Sequence, residues 1–206
     1  MLLADMVERV SGEPLDQYVD RHFYQPMGLT ATTFLPLKKG IPLTSIAPTE
    51  NDSLRGPICG TVHDNNAYAM GGVSGHAGLF SNARQVAQLM QMVLDGGLYR
   101  GHRYFKQQTV DTFTSRHFEN QNNRRALGFD KPLFTPSANG QTAPEATQSS
   151  YGHTGFTGTM LWVDPEYQLV YVFLSNRVHP ASSPNLLARL NVRTDIQSLI
   201  YNDIVK

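Results

Sequence analysis

The chain has 206 residues with 17 Lys and Arg against 17 Asp and Glu, a formal net charge of +0 at pH 7, which excludes bulk-charge attraction to nucleic acid or an anionic membrane. It is 40% hydrophobic and 17% charged, the composition of one globular domain able to bury a core and not of a disordered chain. Cys59 is the single cysteine, so no internal disulfide forms. The apolar run from Leu169 to Leu174 falls far short of the roughly 20 residues a membrane-spanning helix needs.

No basic segment followed by an apolar core and a cleavage site opens the chain, so no signal peptide is expected. Met1-Leu2-Leu3 instead runs straight into a helix, Leu2 to Val10, with Leu3, Met6, Val7 and Val10 at helical spacing and Gly12 as its stop. Pro14 suits a first helical position before the stripe Leu15, Tyr18, Val19 and Phe23. From Leu35 to Gly60 the pattern dissolves into Pro, Thr, Ser, Asn and Asp, a long covering loop. Gly71 to Gly78 is a glycine-dense turn. Ser81 is the expected cap of a helix from Asn82 to Leu94 that ends at Gly96-Gly97. A short helix is predicted over Lys106 to Phe113, and a polar loop over Pro132 to Ser150. Three strands come next, Ser150 to Phe156, Gly158 to Val163 and Gln168 to Asn176, the last two joined by Asp164-Pro165-Glu166. Asn185 then caps a C-terminal helix carrying Leu186, Leu187, Leu190, Ile196, Leu199, Ile200 and Ile204.

The chemistry-bearing stretch is Tyr151-Gly152-His153-Thr154-Gly155-Phe156-Thr157-Gly158-Thr159. A basic side chain, a hydroxyl and a glycine on one strand form a wall that acyl transfer can use, because glycine lets a substrate approach the backbone. The Phe156 N–H would then face a developing oxyanion, a contribution of about 3 kcal/mol. A buried strand with a satisfied histidine is the competing reading. His63, Asp64 and His76 carry metal-ligand chemistry, but without helical ligand spacing they also read as turn residues bonding the local backbone. Gly71 to Gly78 has no Lys-Ser/Thr ending and is no phosphate loop. A serine nucleophile needs a base within reach. No serine here is followed three positions later by lysine, and Gly72-Val73-Ser74-Gly75 is one residue short of a nucleophile elbow.

Several segments together resemble the serine β-lactamase and penicillin-binding-protein superfamily: Gly60 to Ala67, Gly71 to Ser81, Gly152 to Thr159 with Trp162-Val163-Asp164-Pro165, and Leu174 to Pro180. They are most similar to its class C-type β-lactamase-related serine hydrolases, including domains fused behind family 3 β-N-acetylhexosaminidases. The resemblance implies an α+β fold, an α/β sandwich with a helical lobe. Here it is incomplete, with the family's antiparallel third, fourth and fifth strands packed on a C-terminal helix. It implies one partial domain over 1–206, mostly helix and loop over 1–150, then strands and helix over 151–206.

Of the family's three catalytic motifs, only Lys/His-Thr-Gly maps here, onto His153, Thr154 and Gly155, with Phe156 supplying an oxyanion N–H. Ser-x-x-Lys and Tyr-x-Asn are missing, so Met1 reads as an internal start or a truncation. Since the family's first strand is also missing, the strand 168–176 is expected to be an open edge, covered by another copy of the chain in a homo-oligomer, by a rearranged segment or by aggregation. Leu190→Ala is expected to cost about 2–5 kcal/mol if that side chain is buried.

The resemblance implies a hydrolase of amide or ester bonds on a small-molecule or peptidoglycan-like substrate, periplasmic or extracellular, with no cofactor and no metal. The alternative is a non-catalytic fragment or a cell-wall or glycan-binding tail of a glycosidase fusion. A metal-dependent hydrolase using His63, Asp64 and His76 is a third reading.

Overall fold

A computed structural model describes residues 2–119, 123–138 and 140–204. The described residues divide into two compact units, residues 2–85 with Asn176–Pro184 and Val86–Ser175 with residues 185–204.

In the first unit, α1 spans Leu2–Ser11 and stops where Gly12 turns to φ 73°, a conformation that favours glycine. Its Ala4 packs with Leu15 and Phe34 into a small core, bordered by Val7, Val19, Leu35 and Val73. Leu3, Met6 and Val10 stay exposed, so the apolar face is narrower in fact than in pattern. Pro14 immediately precedes α2, Leu15–Val19, which continues through a π-helical turn, Asp20–Tyr24, into α3, Gln25–Met27. The expected loop from 35 to 60 holds a 3-10 turn, Leu43–Ser45, and a two-stranded hairpin of β1, Asn51–Asp52, and β2, Gly56–Pro57. Arg55 orders the segment after the hairpin. It donates to the Val62 carbonyl at 2.7 Å and the His63 carbonyl at 3.1 Å, and stacks 3.8 Å over the Tyr68 ring. Then comes α4, Asn65–Ala69, capped by Asp64, whose Oδ1 accepts the Ala67 N–H at 2.8 Å.

Helix α5 spans Ala83–Leu94. Its cap is Asn82 instead of the expected Ser81, because Asn82 Oδ1 accepts the Gln85 N–H at 2.9 Å. A hairpin of β3, Leu98–Tyr99, and β4, His102–Arg103, unanticipated in so short a polar stretch, precedes α6, Gln107–Thr114.

The second unit is built on an antiparallel sheet in the order β5-β6-β7: Tyr151–Thr154, Met160–Asp164 and Leu169–Phe173. The register places Gly152 opposite Trp162 and Trp162 opposite Tyr171. Alternation therefore puts Met160, Trp162 and Tyr171 on one face, where they form a core with Phe173 and Ile200.

The C-terminal helix is broken, contrary to expectation. Asn191, at φ 50°, separates α7, Leu186–Arg189, from α8, Val192–Ile204. Its buried side also differs: α8 buries Thr194, Gln197 and Tyr201, whereas Leu190 is 59% and Leu199 69% exposed. The reason is polar. Gln197 Oε1 accepts from Thr142 Oγ1 and the Ala143 N–H, each at 2.9 Å, and Tyr201 donates to Asp164 Oδ2 at 2.8 Å. With Leu190 exposed, the condition for a loss of about 2–5 kcal/mol on truncation is not met. Among the described residues, no helix is long and apolar enough to cross a membrane.

Candidate functional site

The motif strand β5 is held from both sides. One neighbour is β6. On the other edge Asp130 exchanges two backbone hydrogen bonds with Gly152, at 2.7 and 3.0 Å. Gly152 is required here: a Cβ would lie 2.3 Å from the Leu161 carbonyl oxygen and 2.3 Å from the Trp162 ring. The side chain opposite is thereby seated directly on the backbone, which a glycine inside a strand often marks.

His153 is exposed. Its Nδ1 lies 2.8 Å from the Thr154 carbonyl oxygen, which can only accept, so in the neutral ring the proton sits on Nδ1 and Nε2 carries the lone pair. The imidazole thus offers a base or acceptor while neutral, and a donor to an anion once protonated. Gly155 donates its N–H to the Thr159 carbonyl at 2.8 Å, and Gly158 donates back to the Gly155 carbonyl at 3.0 Å. A Cβ at Gly155 would fall 2.2 Å from Thr159 Oγ1, so a side chain there would require the Thr159 hydroxyl to turn away. Phe156 stands on that turn with 65% of its surface exposed.

Two braces lock the turn that sequence reasoning missed. Ser175 donates to the Gly158 carbonyl at 3.0 Å, and Arg193 of α8 donates to the Thr159 carbonyl at 3.1 Å. Neither lies near the motif in sequence, and nothing in their local pattern announces it.

The outer edge is basic. Arg125 Nη1 and Arg124 Nη1 lie 2.6 and 3.3 Å from the buried Asp130 Oδ1, ion pairs without hydrogen-bond alignment. Buried Lys131 donates to the Ser149 carbonyl at 2.6 Å and sits 5.7 Å from the Tyr151 ring centroid. Burial, with the Arg116 charge adding to it, lowers its pKa to about 8. Burial likewise raises the Tyr151 phenol.

The residues of the metal reading go to separate carboxylates. His63 Nε2 is 2.8 Å from Glu50 Oε2, whereas His76 Nε2 is 3.1 Å from Asp64 Oδ1. Among the described residues, no group of three or more His, Cys, Asp or Glu is placed to hold a metal ion.

A family model described as Beta-lactamase matches residues 1–195. An Escherichia coli K12 protein provisionally named D-alanyl-D-alanine carboxypeptidase is 41% identical over 207 aligned residues, which cover 90% of this chain and 46% of that protein. The Bacillus subtilis 168 N-acetylmuramyl-L-alanine amidase is 38% identical, with coverages of 90% and 46%. The chain spans about half the length of the curated relatives it matches. Among solved structures, simvastatin synthase from Aspergillus terreus superposes with a TM-score of 0.67 at 19% identity, over 97% of this chain and 53% of that one. A β-lactamase from Mycobacterium bovis gives 0.63 at 18%, over 98% and 61%. These last likenesses show the expected α+β fold, and the family match covers nearly the whole sequence. The chain belongs to the Beta-lactamase family, the β-lactamase-like group of serine hydrolases.

Proposed function

We propose that this chain carries the substrate wall of a serine hydrolase that opens an amide or ester bond through an acyl-enzyme, on a peptidoglycan-like peptide in the periplasm or outside the cell. The observation that carries the proposal is the exposed His153 imidazole, set in one tautomer on a strand pinned at Gly152 and ended by the braced turn 155–159. In this reading protonated His153 binds a substrate carboxylate or passes a proton, Thr154 hydrogen-bonds the substrate, and the Phe156 N–H receives the oxyanion. Arg124 and Arg125 share the single carboxylate of Asp130, which leaves net positive charge beside the strand, in keeping with an anionic substrate. The names of the relatives, a D-alanyl-D-alanine carboxypeptidase and an amidase, fit such a peptide.

The sequence contains no Ser-x-x-Lys, so the serine of the proposed enzyme comes from outside these 206 residues. The same absence favours the second reading, a non-catalytic binding module. We propose further that the β7 edge, unpaired on its outer side among the described residues, is where copies of this chain associate.

The test is a titration with a stem peptide ending in D-alanyl-D-alanine, monitored by 15N resonances of histidine rings, beside intact mass after exposure to a penicillin and a fluorophosphonate. Perturbation of His153 with no covalent adduct is expected. A His153 resonance unmoved at saturating peptide overturns the site. A stoichiometric adduct overturns the placement of the nucleophile outside the chain.

A further inference from the structure

Away from the motif strand, in the first unit, three side chains form an unbroken hydrogen-bonded chain. Ser74 Oγ lies 2.8 Å from His76 Nδ1, and His76 Nε2 lies 3.1 Å from Asp64 Oδ1. The proton positions are set from the ends inward. The Ala67 N–H, with His76 adding to it, holds the Asp64 carboxyl below the usual carboxylate range, so Asp64 is an ionised acceptor. Nε2 must then be the donor, Nδ1 of the neutral ring is the acceptor, and Ser74 donates to it.

This is the connectivity of an activated serine, but Ser74 is only 2% exposed. Its neighbour Gly75 lies beside α1, where a Cβ would reach Ala4 Cβ at 3.4 Å. An acyl donor has no approach to such a hydroxyl, so the chain serves the fold. Asp64 caps α4, and α4 runs directly into the glycine turn through Gly71 N–H to the Tyr68 carbonyl and Gly72 N–H to the Ala67 carbonyl. His76 closes that excursion back onto its own start.

We propose that Asp64, His76 and Ser74 form a proton-sensitive clasp that holds the turn 71–78 closed while His76 is neutral and loosens it on protonation. A protonated ring must donate from Nδ1. Ser74 Oγ then becomes the acceptor, and the buried hydroxyl hydrogen loses its partner. The gain at the half-exposed Asp64 is small by comparison, because solvent screens it. Charged groups on the neighbouring segments have partners of their own. His63, next to Asp64 in the chain, faces Glu50 at 2.8 Å. On α1, Asp5 pairs with Arg9 and Glu8 accepts the Leu15 N–H. Beside α4, Arg55 donates to Asn65 Oδ1.

The experiment is hydrogen exchange of the turn 71–78 in the whole chain at about pH 8 and about pH 5.5, across the range in which histidines change charge, with protection corrected for intrinsic rates. Wild type should lose about 3- to 10-fold protection on acidification, the size of one hydrogen bond. Ser74→Ala should show no such loss, and His76→Ala should be less protected than wild type at about pH 8 and lack the pH response. An equal pH response in wild type and Ser74→Ala overturns the clasp, as does full protection in His76→Ala. Should Ser74→Ala fail to fold, the ring 15N shifts of wild-type His76 at about pH 8 decide: a proton on Nδ1 in place of Nε2 overturns the proposal.

Discussion

The β5–β7 sheet and the helix α8 lie in the same unit, yet the rules that decide their burial differ. In the sheet, register and alternation put Met160, Trp162 and Tyr171 on one face and inside, because pairing fixes which face each side chain takes, while Val163, on the other face of β6, is buried as well. In α8, counting apolar residues gives the wrong side. The helix turns Thr194, Gln197 and Tyr201 inward and leaves Leu199 out, because Asp164, Thr142 and Ala143 supply hydrogen-bond partners that only polar side chains can use. Buried acceptors with partners to satisfy set the inward side of the helix, with Ile200 packing beside them on the sheet core and Leu199 left exposed.

The largest test of that contrast is Asp164→Ala. Asp164 accepts from Thr147 N–H at 2.9 Å, Thr147 Oγ1 at 2.7 Å and Tyr201 at 2.8 Å, and its loss strands all of them. Urea unfolding should show about 3–5 kcal/mol of destabilisation; a change below about 1 kcal/mol would break the comparison.

Lys131 sharpens it from the sheet side. Its folded pKa, lowered to about 8, lies below the unfolded value, so between about pH 8 and about pH 10.5 the unfolded chain binds more protons. Stability should therefore rise with pH through that window. Lys131→Met should flatten the rise and stabilise the chain at about pH 7 by up to about 3 kcal/mol. A slope unchanged in the variant would rule out this assignment.

Tyr201→Phe should cost about 1–3 kcal/mol, since it leaves Asp164 short of one buried donor. Leu190→Ala and Leu199→Ala should each stay within about 0.5 kcal/mol, as exposed substitutions do. A loss of about 2 kcal/mol or more at Leu199 would show that another surface, such as a second copy, covers α8 in solution.

The same distinction explains what was legible in the sequence. Strand order, the His153-Thr154-Gly155 motif and the cap at Asn185 are local signals, each written within a few residues. The pairing of Asp130 with Gly152, the braces from Ser175 and Arg193, and the Gln197 contacts join residues distant in the chain, and no period or spacing encodes them. Gly152 stands between these cases. A glycine inside a strand signals close backbone approach, but only the register names Trp162 as the group that approaches.

The seat of Trp162 against Gly152 makes the ring a built-in reporter. Trp162 is the chain's single tryptophan; it is 1% exposed and donates its indole N–H to Ser150 Oγ at 2.9 Å. Any intrinsic fluorescence excited selectively at the indole comes from one ring lying against the backbone beside His153. Its emission should be that of an indole shielded from water. A red shift would then report, without a label, that the strand bearing the motif has separated from its neighbour.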